Sequence, residues 1–327
     1  MRKGYPLDST APNISYPGMG ADYPKTILDL ERRFATDEAC RDYLFLLRWP
    51  NGFICPRCQG DSAWPASRGR LVCHSCRHQT SVTAGTIFQD TRKPWKLWFR
   101  AIWHVVSQKN GASAANVQQI LGLRSYQTAW TWLHKIRRAM VRPDRDKLHG
   151  FVEVDETFVG GEDPKGGTWI EQKALVVIAA EADGSKIGRI RLQTIPANTR
   201  KNLHGFVKQA IEPGSIIHTD GCTAYVGLEK LGYQHERTIL LNQKSKNAAS
   251  ELLPRVHRVA SLLKRWLLGT HQGAVSAEHL DYYLDEFTFR FNRRTSRSRG
   301  KLFYRLLQQA VQIAPTTYRS MVGGKAL

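Results

Sequence analysis

Four of the six cysteines form two CxxC pairs, at positions Cys55, Cys58, Cys73 and Cys76. The two-residue gap inside each pair lets a tight turn aim both sulfurs at one ion, and the 14 residues between the pairs suit a hairpin. Four thiolates complete the tetrahedral shell of Zn²⁺, so we expect a structural zinc site with His74 and His78 outside it. Reduced cysteines in a core and a redox CxxC are the alternative interpretations.

Two aspartates, Asp155 and Asp220, are candidates for binding divalent cations. Asp155 lies in "FVEVDETFVGG", whose alternation predicts a strand with Val152 and Val154 on one face. Glu153 and Asp155 then share the other face. Asp220 follows the predicted short strand "GSIIHTDG". Paired carboxylates can hold two Mg²⁺ ions for in-line phosphoryl transfer, whereas either aspartate alone would be an ordinary strand-end or turn residue.

A third stretch, "LPRVHRVASLLKRWLLG", repeats apolar residues at helical spacing and opens with a proline. We predict a helix over 254–268 that ends at Gly269. At about 100° per residue, the apolar residues form one stripe, and His257 and Lys264 lie together on its flank. The helix therefore presents a core face and a mixed His/Lys edge.

The elements around the aspartates suggest how they are positioned. After position 150 the hydrophobic period changes from 3.6 to 2, and "KALVVIAAEADG" is apolar enough for a central strand. We predict three antiparallel strands, a helix, a strand, a short helix ("AYVGLEKLG"), a fifth strand ("YQHERTILLN") and the helix at 254–268. This is the element order of a ribonuclease-H-like α/β domain, a mixed sheet with flanking helices. In that topology the first and fourth strands are neighbours, which brings Asp155 and Asp220 together.

The region before this domain contains a pattern typical of a helix-turn-helix. Ser113 is the expected N-cap of a first helix, "GLRS" is the turn, and the segment at 126–140 is the recognition helix. The side chains expected to face a DNA groove or its phosphates are Arg124, Tyr126, Gln127, Lys135, Arg137 and Arg138. An ordinary helical linker with a basic face is the alternative, and the tryptophans at 95–103 are assigned to a core.

The composition indicates the partner. The chain has 327 residues, 42% of them hydrophobic, and a formal net charge of +20, so it is long enough for several domains and suited to hold a polyanion. No apolar run of 18 residues and no signal peptide is visible, so we expect a cytoplasmic, nucleoid-associated protein with DNA as partner and no membrane association. Further expected phosphate contacts are Arg258, Arg265, Arg293 and Arg294.

The expected domains are an arm at 1–25, a zinc ribbon at 26–90, a helix-turn-helix-like region at 91–145, a catalytic domain at 146–312 and a tail at 313–327.

Four motifs carry a resemblance to a known family: "VDETFVGG", "HTDG" followed by Tyr225, "LLKRWLLGTH" and "HLDYYLDEFTFRFNRR". Together they resemble the transposases of bacterial insertion sequences, in the ISXO-like group with an N-terminal zinc ribbon and a DDE-type ribonuclease-H-like catalytic domain. The resemblance covers roughly residues 30–310. It implies binding to the element ends, DNA cleavage that frees a 3′-hydroxyl, joining to target DNA with catalytic Mg²⁺ or Mn²⁺, and homo-oligomers on DNA. It matches Asp155 and Asp220 to the family's first two acidic residues and Lys264 to its basic residue.

The same resemblance places a histidine, His257, where the family has its third acidic residue. His257 is therefore a candidate metal ligand or proton acceptor. Alternatively, another acid completes the site, for which Glu251 is nearest while Asp285 and Glu286 are expected to pair with arginines. The remaining explanation is an inactive copy. The rival functions are accordingly a catalytically inactive, transposase-derived DNA-binding regulator and a nuclease of the same fold.

Overall fold

The structure, a computed structural model, describes residues 23–142, 145–160, 173–238, 252–273 and 275–323. The chain divides into two compact units. Unit 1 comprises Met1–Ala139 with Ser296–Ser320, and unit 2 comprises Met140–Thr295 with Met321–Leu327. The segment Ser296–Ser320 thus groups with the N-terminal unit, although the sequence assigned it up to 312 to the catalytic domain. Most of the expected arm at 1–25 lies outside the described residues.

The elements of both units are named here in chain order. The helices are α1 (Ile27–Arg33), α2 (Asp37–Arg48), α3 (Trp95–Ser107), α4 (Ala114–Leu121), α5 (Tyr126–Arg138), α6 (Arg200–Ala210), α7 (Pro254–His271), α8 (Leu280–Asn292), α9 (Arg299–Ala310) and α10 (Tyr318–Val322). The strands are β1 (Ala63–Ala66), β2 (Arg70–Cys73), β3 (Gln79–Ser81), β4 (Phe151–Val159), β5 (Ala174–Asp183), β6 (Lys186–Ile195), β7 (Ile216–Thr219) and β8 (Gln234–Arg237). Within the described part of the chain, no helix combines the length and apolarity needed to cross a membrane.

Unit 1 joins a small antiparallel sheet, ordered β1-β2-β3, to a cluster of helices. The predicted helix pair is confirmed, because the side chain of Ser113 accepts a hydrogen bond from the main-chain N–H of Asn116 and Gly122 ends α4 at φ 61°. The tryptophans form core, as expected: the rings of Trp98 and Trp132 stack with centroids 3.9 Å apart. Helix α5 is therefore anchored on α3 through its apolar side.

Unit 2 is built on a five-stranded sheet with the order β6-β5-β4-β7-β8. Strand β5 pairs antiparallel with both β4 and β6, while β7 runs parallel to both β4 and β8. This mixed sheet with flanking helices confirms the ribonuclease-H-like fold expected from the element order. The alternation of β4 is also confirmed, because Val152 and Val154 join the core that includes α6.

Helix α7 covers the opposite face of the sheet. Its buried residues are Val256, Val259, Leu263 and Leu267, which pack with β5, β6 and α8. The helix passes Gly269, where the sequence predicted its end, and stops at Gln272 in the left-handed conformation. The rings of Trp266 and Tyr283 each lie 4.8 Å from the ring of His271, so packing within unit 2 holds the last turn despite the glycine.

One other predicted element differs from the expectation, and a second can be compared only in part. The stretch read as the helix "AYVGLEKLG" forms two 3₁₀ turns, Thr223–Tyr225 and Leu228–Leu231. Gly227 and Gly232, with φ of 98° and 86°, interrupt any longer helix there. The fifth strand is β8, and the continuation predicted for it beyond 238 lies outside the described residues.

Candidate active site and zinc site

Strand register brings the two aspartates together. In the parallel pair of β4 and β7, Glu153 lies opposite His218. The same offset of 65 residues relates Asp155 to Asp220, which directly follows the last residue of β7. Because β4 and β7 run side by side, both carboxylates reach the same end of the sheet, as the sequence predicted.

A cleft of about 220 Å³ opens at this end of the sheet. Its lining residues are Asp155, Thr219, Asp220, Thr238, Leu252, Leu253 and His257. The cleft thus unites three of the four candidate catalytic residues. The two threonines and two leucines were not identified from the sequence, where nothing in their residue type or spacing distinguishes them.

His257 enters the cleft from the beginning of α7. Its Nε2 lies 3.7 Å from Oδ2 of Asp155, and the two side chains are 35% and 22% exposed. On the other side of the cleft, Oδ1 of Asp220 accepts a hydrogen bond of 2.9 Å from the main-chain N–H of Cys222. A main-chain N–H therefore orients the carboxylate of Asp220, and the imidazole of His257 lies beside the carboxylate of Asp155.

The two aspartates of the cleft influence each other's ionisation. Burial raises the pKa of Asp155, and the charge of Asp220 adds to that rise, while the main-chain N–H of Glu156 and the imidazole of His257 oppose it. Two carboxylates that share a cleft repel each other when both are ionised. Oxygen ligands of this kind are those that Mg²⁺ and Mn²⁺ prefer, so the residues fit a divalent metal site.

A third acid, Glu156, lies near this site, because besides burial the charges of Asp155 and Asp220 both raise its pKa. Tyr225 donates a hydrogen bond of 2.5 Å to Oε1 of Glu156. Burial raises the pKa of Glu156 to about 7, although the Tyr225 hydroxyl acts in the opposite direction. The sequence showed Tyr225 only as part of a motif, and strand alternation placed Glu156 away from Asp155, so this pair was missed.

Two of the remaining acidic candidates, Asp285 and Glu286, do not line the cleft. Glu286 is fully buried and forms an ion pair of 2.7 Å with Arg290, and Asp285 lies on the same helix, α8. Glu251 lies outside the described residues. Lys264 is exposed two turns further along α7 and does not line the cleft.

The residues proposed for DNA contact differ in how exposed their side chains are. Those on the surface are Arg124, Tyr126, Gln127, Arg258, Arg265 and Arg294, whereas Lys135, Arg138 and Arg293 are half-buried. Burial lowers the pKa of Lys135. Arg137 is only 2% exposed, which corrects the expectation that its guanidinium faces phosphate. Arg294 donates to the carbonyls of Phe291, Gly188 and Ile187, so it also closes the end of α8.

In unit 1 the four paired cysteines converge. Their sulfurs all lie within 4.8 Å of one another, with 3.7 Å between Cys55 and Cys76 and 3.6 Å between Cys58 and Cys73. The main-chain N–H of Cys76 is the main influence that lowers the pKa of Cys73, to about 6. Four converging sulfurs fit a structural Zn²⁺, as the spacing predicted.

Comparisons with known proteins identify two family domains in the chain. Residues 147–292 match the family described as "ISXO2-like transposase domain", and residues 35–79 match "Transposase zinc-ribbon domain". The chain is 24% identical, over 83% of its length and 95% of the relative, to "Uncharacterized protein in transposable element ISH50" of Halobacterium salinarum.

Among solved structures, a chain of the simian T-cell lymphotropic virus intasome in complex with PP2A regulatory subunit B56 gamma aligns with a TM-score of 0.32. It is 15% identical over 62% of this chain and 74% of that chain. The two family matches cover both the cysteine cluster and the cleft with its aspartates. The chain therefore belongs to the ISXO2-like transposases that carry an N-terminal zinc ribbon.

Proposed function

We propose that this protein is an active DNA transposase, which binds the ends of its element and catalyses metal-dependent cleavage and strand transfer. The observation that carries the proposal is the cleft in which Asp155, Asp220 and His257 meet. Family membership implies nuclease and strand-transfer activity in general, and the cleft supplies the residues for it in this chain.

Asp155 and Asp220 would hold Mg²⁺ or Mn²⁺ through their carboxylate oxygens. The chemistry supplied by such ions is activation of the attacking oxygen and stabilisation of the leaving oxygen in an in-line displacement. His257 adds a neutral nitrogen, which can accept a proton from the attacking hydroxyl or serve as a ligand. Because imidazole is a better partner for Mn²⁺ than for Mg²⁺, we expect higher activity with Mn²⁺.

DNA would be bound by the surface next to the cleft and by unit 1. The exposed cations Arg258, Lys264 and Arg265 continue along α7 from His257. In unit 1, the first turn of α5 exposes Tyr126 and Gln127, the position from which a recognition helix reads base edges. Joining two element ends to a target requires two active sites, so we propose a dimer or larger homo-oligomer on DNA.

A strand-transfer assay tests the proposal. The full-length chain is incubated with DNA that carries the inverted repeats flanking its gene, a target plasmid, and Mg²⁺ or Mn²⁺. We expect joined products with the wild type and none with Asp155→Asn or Asp220→Asn. Asp183→Asn, which changes an exposed carboxylate at the end of β5, is the matched control and should join normally.

The assay separates this proposal from its rivals. Specific binding of the repeats without cleavage or joining by the wild type would overturn it in favour of a DNA-binding regulator. Cleavage without joining would indicate a nuclease. Joining that survives both aspartate substitutions would show that the chemistry takes place elsewhere.

A further inference from the structure

We propose that Glu153 is a positioning residue: its buried carboxylate, together with Arg255, fixes the start of α7 on β4 and thereby sets His257 beside Asp155. The inference rests on the proposed function, because it concerns the geometry of that same cleft. Glu153 is 1% exposed and does not line the cleft, and it is not one of the proposed metal-binding, catalytic or DNA-contacting residues.

Helix α7 begins without a local cap. The residue before its first turn is Leu253, whose side chain makes no capping hydrogen bond, and Pro254 has no N–H to satisfy. The first main-chain donors that need a partner are therefore those of Arg255 and Val256. Nothing in the neighbouring described sequence supplies an acceptor for them.

Glu153 supplies that acceptor from a strand more than 100 residues earlier in the chain. Its Oε2 accepts hydrogen bonds of 2.7 Å from the N–H of Arg255 and 3.1 Å from the N–H of Val256. Its Oε1 accepts a hydrogen bond of 2.8 Å from Nη1 of Arg255. A carboxylate at a helix N-terminus also interacts favourably with the helix dipole. The buried charge of Glu153 is therefore stabilised both by the dipole of α7 and by the guanidinium of Arg255.

Arg255 extends the attachment from β4 to the hairpin between β5 and β6. Its Nη2 donates to the carbonyl of Gly184 at 3.0 Å, and its Nε lies 3.5 Å from the carbonyl of Lys186, both at the hairpin between β5 and β6. The first turn of α7 is thus fixed at two separate points of the sheet. This arrangement restricts both sliding and rotation of the helix.

The attachment sets the position of His257 in the cleft, because residue spacing along β4 and along α7 relates the attached residues to Asp155 and His257. Along β4, Glu153 and Asp155 are two residues apart and point to the same face. Along α7, Arg255 and His257 are also two residues apart, but on a helix this directs their side chains about 200° apart, so any rotation that moves Arg255 also moves His257. Fixing Arg255 on Glu153 therefore leaves one place for His257, which is beside Asp155 at 3.7 Å.

The test compares Glu153→Gln with a matched variant, Glu286→Gln. Both substitutions neutralise a buried carboxylate of unit 2 that pairs with an arginine, but Glu286 pairs within α8 and away from the cleft. Glutamine has a single carbonyl oxygen, so it cannot accept at both carboxylate positions of Glu153. Glu153→Ala removes the acceptor entirely and serves as the stronger variant wherever circular dichroism shows that it folds.

Two readouts need no DNA. We expect hydrogen exchange at the amides of residues 255–258 to accelerate about 10-fold or more in Glu153→Gln and to stay unchanged in Glu286→Gln. In protein with labelled histidine, Mn²⁺ should broaden the His257 signals, identified by their absence in His257→Ala. Residues that orient a metal site typically change affinity about 10–100-fold when removed, so Glu153→Gln should need about 10-fold more Mn²⁺ for the same broadening.

The outcomes distinguish this inference from the proposed function. If the wild type joins no DNA but Glu153→Gln alone shows faster exchange and weaker Mn²⁺ broadening, the proposed function fails and the positioning role stands. If exchange at 255–258 and broadening of His257 are the same in Glu153→Gln as in Glu286→Gln, the positioning role is overturned, whatever the wild type does to DNA.

Discussion

Nε2 of His257 lies 3.7 Å from Oδ2 of Asp155, across a cleft that Asp220 also lines. A histidine thus faces the two aspartates from the position at which the family resemblance places a third acid. This relationship makes the histidine the most informative residue to change in this protein.

Removal of the imidazole should impair catalysis. General acid or base groups contribute about 10²–10⁴-fold to rate, so we expect His257→Ala to slow strand transfer at least about 100-fold. His257→Glu restores an acidic side chain and should retain joining, with a shift in preference toward Mg²⁺. Ser261→Ala, on the same edge of α7, is the control. If His257→Ala joined DNA as fast as the wild type, His257 would have no catalytic role.

Lys264 is expected to contact phosphate. Each phosphate contact contributes about 0.9 to the slope of log affinity against log salt on duplex DNA. Lys264→Ala should therefore weaken binding to all sequences alike and reduce that slope by about 0.9, measured by fluorescence anisotropy between low and moderate salt. Lys230→Ala, an exposed lysine in the 3₁₀ turn before β8, should leave the slope unchanged. If the two variants reduced the slope equally, Lys264 would contribute only its charge and would have no specific phosphate contact.

The zinc ribbon should depend on its metal. We expect one Zn²⁺ per chain by elemental analysis, and loss of that zinc in Cys58→Ser, because three sulfurs leave the tetrahedral shell incomplete. Structural zinc stabilises small sites by about 10 kcal/mol, so a chelator should unfold the β1-β2-β3 sheet. Cys222→Ser should keep its zinc. Full zinc content in Cys58→Ser would contradict the assignment of the four cysteines.

Because of Glu181, the free energy of unfolding of unit 2 should decrease as the pH becomes acidic. Burial alone would raise its pKa, but hydrogen bonds from Arg189 and from the main-chain N–H of His149 outweigh burial and lower the pKa to about 2. A depressed carboxyl pKa contributes stability above the unfolded value of 4.5, and that contribution is lost as pH falls from about 4.5 to about 2.

The size of this effect follows from the shift, at about 3 kcal/mol at pH 7. Denaturant unfolding of wild type and Glu181→Gln should differ by about that amount at neutral pH, and the difference should shrink below pH 4.5. The exposed Glu236→Gln is the control and should change stability by less than about 0.5 kcal/mol. A difference that stays constant down to pH 3 would contradict the role of Glu181.

Several features followed from the sequence because local rules dictate them. The CxxC spacing is a local property of two tight turns, and the structure brings the four sulfurs within 4.8 Å of one another. Alternation along β4 placed Asp155 on the face opposite to Val154, and the order of elements placed β4 beside β7. Those two rules together were sufficient to predict that Asp155 and Asp220 meet.

Other features depended on tertiary contacts that no local rule contains. Gly269 is a helix terminator in the sequence, yet α7 continues because His271 packs between Trp266 and Tyr283. Arg137 belongs to a basic cluster in the sequence, yet it is buried because α5 turns that side toward the core of unit 1.

The sequence by itself therefore determined the fold, the convergence of the four paired cysteines and the approach of Asp155 to Asp220, since spacing, periodicity and element order encode them. Only the tertiary structure decided that Glu153 caps α7 and that Tyr225 donates to Glu156, whereas the position of His257 beside Asp155 was already expected from the family resemblance. The physical reason is that these pairs join distant segments. Their partners are selected by strand register and helix placement, and those depend on the packing of the whole unit.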